Sequence, residues 1–143
     1  MKITLFTAGA HAKEYQPQLK AYQERLRRFQ TVSWRIIDAP STIGEQAKLR
    51  AVLPEHYIAL DETGKNIKTT DISSELERLR LIGQDLNLVI GGADGLGEEI
   101  LKAADEKWAF GAITLPHQLV RLIAIEQLYR AATILANHPY HRP

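Results

Sequence analysis

Short apolar runs alternate along this chain with segments whose apolar residues recur every three or four positions. Residues 3–8 form an apolar run closed by Gly9 and predict a strand. Tyr15, Leu19, Tyr22, Leu26 and Phe29 follow at spacings of four, three, four and three. That is one face of a helix, with Lys20, Glu24, Arg25, Arg27 and Arg28 mostly elsewhere on it. Residues 32–37 predict a second strand, ended by Pro40. Thr42-Ile43-Gly44-Glu45 has capping-box spacing and opens a second helix that stops before Pro54. Residues 57–60 predict a third strand and residues 61–66 a turn-rich loop. Ser74-Glu75-Leu76-Glu77 repeats the capping-box spacing and starts a helix through Leu76, Leu79 and Ile82, closed by Gly83. Residues 86–90 predict a fourth strand, apolar at most positions, as a strand covered on both faces must be. A glycine-rich turn, a short helix through Ile100 and Ala104, a fifth strand over 108–115 and a helix over 119–136 precede a tail at 137–143.

Five strands alternating with helices predict an α/β fold, a mainly parallel sheet flanked by helices on both faces. No repeat, low-complexity tract or linker divides the chain, so residues 1–143 are expected to form a single domain. In the last helix only Arg121, Glu126, Gln127, Tyr129, Arg130 and Thr133 interrupt the apolar cover. Such a helix is buried on more than one side. A chain of 143 residues offers few layers to do this, which favours a homodimer, with a central core helix in a monomer as the other reading.

Composition narrows the chemistry. There is no cysteine, which excludes disulfides, thiolate metal sites and a cysteine nucleophile, and which fits a reducing cytoplasm. No run is long enough to cross a bilayer, and the first residues are too interrupted for a signal peptide, so a cytoplasmic protein without a membrane partner is expected. Net charge is +1, from 18 basic and 17 acidic residues. Phosphate neutralisation over the whole surface is therefore not indicated, and an RNA partner would need a local patch.

Three segments carry candidate chemistry. In Val89-Ile90-Gly91-Gly92-Ala93-Asp94-Gly95-Leu96-Gly97, a strand runs into four glycines and then a helix. Glycines there let backbone N–H groups approach a ligand, and the helix start favours an anion. The spacing is neither the dinucleotide fingerprint nor a Walker loop, and from the glycines alone a ligand-free turn is an equal reading. In Ile113-Thr114-Leu115-Pro116-His117, Pro116 forces extended backbone on Leu115 and leaves peptide groups free to pair with an adenine edge, while His117 by itself reads as a helix-entry residue. The tail Asn137-His138-Pro139-Tyr140-His141-Arg142-Pro143 gathers groups that stack on bases, bind phosphate and move protons near neutral pH. His138 and His141 lack the cysteine or nearby carboxylate that a metal site would need, so no metal is expected. His11 and His56 have no evident partner.

Read in order, Gly91-Gly92-x-x-Gly95-Leu96, Thr114-Leu115-Pro116-His117, Leu128-Tyr129-Arg130-Ala131 and Asn137-His138-Pro139-Tyr140-His141-Arg142 resemble the pseudouridine N3-methyltransferases of the large ribosomal subunit, in the SPOUT superfamily. Met1-Lys2-Ile3-Thr4-Leu5 and Leu60-Asp61-x-x-Gly64-Lys65 are also similar, so the likeness runs nearly the whole chain. It implies a C-terminal trefoil knot, an exception to the rule against knots. It implies S-adenosylmethionine held by Leu60, Gly92, Gly111, Ala112, Ile113, Thr114, Leu115 and Pro116, and an active site across a homodimer interface. The implied partner is 23S rRNA within the ribosome, methylated at N3 of a pseudouridine. His138, Tyr140, His141 and Arg142 would then face the target nucleotide: a histidine to take the N3 proton, Tyr140 to stack, Arg142 to hold a phosphate or carbonyl. The chain departs from its relatives where Ala10-His11-Ala12 follows Gly9 in place of an early lysine, where Ala93 replaces a proline, and where Gly97 replaces a serine cap. Competing readings are a SPOUT enzyme for another RNA, a non-catalytic ribosome-binding or assembly factor of the same fold, and a generic nucleotide-binding protein.

Overall fold

A computed structural model describes all residues from Met1 to Pro143. The elements run β1 (Lys2–Ala8), α1 (Gln16–Arg27), β2 (Thr31–Ile37), α2 (Thr42–Val52), β3 (Ile58–Asn66), α3 (Thr69–Ile82), β4 (Leu86–Ile90), α4 (Glu98–Ala103), β5 (Glu106–Ala109) and α5 (His117–Leu135), with a single 3-10 turn at Lys13–Tyr15 ahead of α1. Every strand pairing is parallel, in the order β2-β1-β4-β3-β5.

The period of two in the strands divides the core between the two sheet faces. Ile3 and Leu5 of β1, Leu86, Leu88 and Ile90 of β4, and Ile58 and Leu60 of β3 pack in one cluster with residues of α1, α3 and α5. Phe6 and Ala8, Val89, and Ala59 from the same strands pack in a second, smaller cluster with residues of α2 and α4. Helices on both faces leave no polar side for β4, which is why its apolar run is nearly continuous.

Four boundaries differ from the sequence pattern. Residues 61–66 are not a free loop: β3 resumes pairing with β5 after an irregularity between Leu60 and Lys65. Gly64 makes this possible, since a Cβ there would stand 2.6 Å from the carbonyl carbon and oxygen of Lys107. β5 ends at Ala109 and does not continue to Leu115. Gly111 has φ +98, a left-handed backbone that breaks the extended run, and the chain leaves the sheet over residues 110–116. The cap of α2 is Ser41, whose side chain accepts from Gly44 N at 3.1 Å. α3 starts at Thr69, where Asp71 accepts from Lys68 N at 2.9 Å, and Ser74 lies inside the helix, donating to Thr70 O at 3.0 Å.

α5 buries Ala124, Ile125, Leu128, Ala131 and Ala132 against the rest of the chain, while Leu119, Ile123 and Ile134 stay half-exposed on its other side. Asn137, with φ 57, closes the helix; His138 N donates back to Thr133 O at 2.9 Å. No helix is long and apolar enough to cross a membrane.

Candidate functional site

Parallel sheets bind ligands in the crevice beyond the carboxyl ends of their strands. Here the ends of β3, β4 and β5 open onto a cavity of about 750 Å³, within the ~300–1,000 Å³ range of small-molecule sites. Leu60, Ile90, Trp108 and Val120 give it an apolar lining, the glycine turn and the 110–116 segment give it peptide groups, and Asp61, Glu62 and Asp94 give it carboxylates.

The glycine turn divides into residues that the backbone requires and one that it does not. A Cβ on Gly91 would lie 2.5 Å from the Gly95 carbonyl carbon, and Gly95 has φ +78 while its N–H closes the turn on Gly92 O at 3.0 Å. Gly92 itself has no left-handed φ, and a Cβ there would meet nothing nearer than 3.6 Å. Neither packing nor backbone strain demands glycine at this cavity-lining position, which suits a ligand lying close against the peptide. The 110–116 segment is similarly open. No peptide group of residues 110–115 bonds to another backbone group. Thr114 is tied down by its side chain, which donates to Glu62 Oε2 at 3.0 Å, and Ile113 is 70% exposed. Trp108 lines the same cavity, and its buried Nε1 has no partner.

The wall toward β1 is built by the first turns of α5. Arg121 is fully buried. Its Nη2 donates to Ala8 O at 2.7 Å and its Nη1 to Gly9 O at 3.0 Å, so the guanidinium ties α5 to the end of the central strand. Nη1 also lies 3.1 Å from His11 Nδ1, and His11 packs edge-on against Trp34 at 4.6 Å. Burial lowers the Arg121 pKa to about 10, against a smaller upward pull from Glu45, so it stays charged at neutral pH. Burial, and then the Arg121 charge, lower the pKa of both His11 and His117. The Glu45 carboxylate stands beside them, 3.6 Å from where a Cβ would sit on Gly9 or Gly92.

Of the residues expected at a cofactor site, Leu60, Gly92, Gly111, Ile113, Thr114, Leu115 and Pro116 line this cavity, and Ala112 does not. The tail lies apart from them. The tail leaves α5 beyond Leu135 and folds back along the helix. There Tyr140 packs on Tyr129 at 4.6 Å and under the Arg130 guanidinium at 4.8 Å, and its hydroxyl donates to Glu126 Oε1 at 3.1 Å. Burial first, then hydrogen bonds to Tyr22 and Glu126, raise the Tyr140 pKa and keep the phenol protonated. His138 packs edge-on against Phe29 at 5.8 Å, and His141 Nδ1 is 3.4 Å from Arg130 Nη1. No tail residue reaches its own chain's cavity. His56 pairs with Asp105 at 3.3 Å, near the amino end of β3 and away from the cavity. No group of three or more His, Asp or Glu is arranged to hold a metal ion.

Sequence reasoning did not assign functional parts to Arg121, His11, Gln118 or Glu45. Arg121 was visible as a lone charge in an apolar helix, but its partners lie 112 and 113 positions away.

The family model described as "Predicted SPOUT methyltransferase" matches residues 1–141. The chain is 39% identical over 155 aligned residues to a protein of Xanthomonas oryzae pv. oryzae (strain PXO99A) named "Ribosomal RNA large subunit methyltransferase H", covering 99% of both chains. A protein of the same name from Xylella fastidiosa (strain 9a5c) is 46% identical over 100 residues, 68% of this chain and 63% of that one. Among solved structures, a probable methyltransferase from Bordetella pertussis Tohama I superposes with a TM-score of 0.61 at 10% identity, covering 92% of this chain and 96% of that one. A probable methylase family protein from Haemophilus influenzae Rd KW20 gives 0.60 at 11%, covering 99% and 70%. At such identities the two structures speak to the fold alone.

Proposed function

The chain belongs to the SPOUT methyltransferase family, and we propose that it transfers the methyl group of S-adenosylmethionine to N3 of a pseudouridine in the 23S rRNA of the large ribosomal subunit, on assembled ribosomes in the cytoplasm. One observation carries this reading. A chain matched end to end by proteins named for large-subunit ribosomal RNA methylation opens, at its strand ends, a cavity edged by peptide groups without backbone partners.

The donor set suits this cofactor. S-adenosylmethionine supplies an electrophilic methyl group on a sulfonium. The unpaired peptides of residues 110–115 would hold the adenine edge, with Leu60, Leu115 and Ile113 against its faces and Gly92 giving close approach. Gly111, Ala112, Thr114 and Pro116 would set the course of the segment around it. Holding both reactants in line is the main contribution expected from the protein, since charge is lost rather than created as the methyl moves.

The tail residues would act in trans. His138 or His141 would take the N3 proton, Tyr140 would stack on or orient the base, and Arg142 would bind a phosphate or base carbonyl. That no tail residue lines its own chain's cavity supports a site completed by a second copy. The half-exposed Leu119, Ile123 and Ile134 of α5 are suited to cover such an interface. Family membership likewise supports a trefoil-knotted C-terminal half.

Mixing two defective chains tests the arrangement. Gly111→Val blocks the cofactor segment, and a chain ending at Asn137 lacks the tail. Each alone is expected to be inactive. Equal mixing of exchanging subunits puts one intact site in half of the dimers, so about a quarter of the wild-type activity should return. Mixed dimers that form and remain inactive would refute a shared site.

A further inference from the structure

We propose that His117 serves as a neutral hydrogen-bond donor to an anionic oxygen in the cavity, with Gln118 as the positioning residue that keeps its proton on Nδ1. The inference rests on reading the cavity as the methyl-transfer site. Its structural half stands independently of that reading.

The proton position follows from a chain of groups whose roles are forced. The Ala12 backbone N–H can only donate, and it lies 2.9 Å from Gln118 Oε1. The amide of Gln118 is thereby oriented, and its other end must be the NH₂ group. That Nε2 donates to Ala10 O at 3.0 Å and faces His117 Nε2 at 3.3 Å. An NH₂ hydrogen directed at a ring nitrogen requires a lone pair there, so in the neutral ring the proton sits on Nδ1. A second chain fixes the neighbouring ring the other way. Arg121 has donors and no acceptor, so His11 Nδ1, 3.1 Å from Nη1, must accept, and the His11 proton sits on Nε2.

Charge keeps the arrangement neutral. Burial and the Arg121 guanidinium oppose protonation of both rings, and Glu45 pulls His117 back only weakly. With Nε2 occupied, His117 is a poor base. Its Nδ1–H is the ring's one polar group without a protein partner, and the ring lines the cavity. A fixed N–H donor, with a buried cation one helical turn behind it, suits an oxygen that carries negative charge. Two oxygens meet that description. One is a carbonyl oxygen of the target base, which takes up charge as the N3 proton leaves to a base elsewhere. The other is the carboxylate of the methyl donor. His117 transfers no proton in either case.

Nitrogen-15 NMR of histidine-labelled protein reads the tautomer without any RNA. At pH 7.5 His117 Nδ1 should show a protonated shift and Nε2 an unprotonated one, and Gln118→Glu, which replaces the donor with a carboxylate, should reverse them. A wild-type ring protonated on Nε2 overturns the proposal. Methyl transfer and donor affinity then place the oxygen. His117→Ala should lose on the order of 100-fold in one of them, as removal of a donor to developing charge does. Asn retains an N–H near the Nδ1 position, so His117→Asn should recover most of that loss. A lower kcat with unchanged S-adenosylmethionine affinity assigns the oxygen to the target base; weakened affinity assigns it to the donor's carboxylate. An Asn variant as defective as Ala, in an enzyme whose rate follows titration of the ring, would make His117 a base and refute the donor role. Should the chain methylate no RNA, the tautomer measurement still decides where the proton sits, and so separates failure of this proposal from failure of the methyl-transfer reading.

Discussion

Arg121→Met tests whether one buried guanidinium holds the cavity wall to the sheet. Methionine keeps much of the stem and removes all five donors. The Ala8 and Gly9 carbonyls, now held at 2.7 and 3.0 Å, lose their charged partner at the end of β1. A buried acceptor left unsatisfied costs about 1–3 kcal/mol, and the part-buried Gly9 carbonyl costs less than the buried Ala8 one, so the two together cost about 2–5. Part of this returns. Arg121 has no carboxylate within salt-bridge distance, and its Nε is buried without a partner. Exchanging buried charges for apolar groups can stabilise by about 1–4 kcal/mol. The balance is a loss of about 2 kcal/mol. With a urea slope of about 2 kcal/mol per M, the unfolding midpoint should fall by about 1 M. Arg121→Lys should recover part of the loss, because one ammonium reaches one carbonyl well and two poorly. A Met variant with the wild-type midpoint, or a higher one, would refute the reasoning, since it would mean that water satisfies the strand end and the guanidinium does not hold it.

Gly64→Ala should be comparably damaging, because its Cβ would meet Lys107 backbone at 2.6 Å and part β3 from β5; overpacking of this kind costs about 1–3 kcal/mol, read as a lower melting temperature. A chain ending at Asn137 should lose methyl transfer while equilibrium dialysis shows S-adenosylmethionine affinity nearly unchanged, because the residues proposed to hold the cofactor all lie outside the tail. Stability should decline on acidification. His11 and His117 are both held below their ordinary 6.5, so the unfolded chain takes up protons first; their contribution is complete above about pH 6.5 and is lost as pH falls from there toward the folded pKa values. The slope is at most about 1.4 kcal/mol per pH unit for each ring, reduced because both keep some solvent contact. Urea unfolding at pH 7.5, 6.5 and 5.5 checks this, and the His11→Asn/His117→Asn double variant should show a flatter dependence than the wild type.

Much of the architecture was legible because it is local. The alternation of Ile3 and Leu5 with Phe6 and Ala8 already separates the two faces that the structure covers with different helix layers. The misread stretches are those decided by distant partners. Asp61-Glu62-Thr63-Gly64 has turn chemistry, yet β5 draws the chain past Gly64 back into the sheet. Residues 110–115 have strand composition, but Gly111 takes a left-handed backbone and the segment becomes cavity wall. The peptide-rich side of the site was therefore visible as motifs, whereas the β1 side was not. His11 and His117 read as isolated histidines because the groups that orient them, Arg121 and Ala12, lie more than a hundred residues away in one case each. The tail is legible by its residue types; the anchoring of its Tyr140 on Tyr129 and Glu126, outside the cavity, is set by contacts that no local pattern shows.

The most direct test of the account is methyl transfer from labelled S-adenosylmethionine to purified ribosomes, run beside free 23S rRNA and bulk tRNA. The account predicts label in 23S rRNA from whole ribosomes, at N3 of a pseudouridine, with little in free rRNA and none in tRNA. Measurable cofactor binding without label in any ribosomal RNA, or label in tRNA instead, would contradict it.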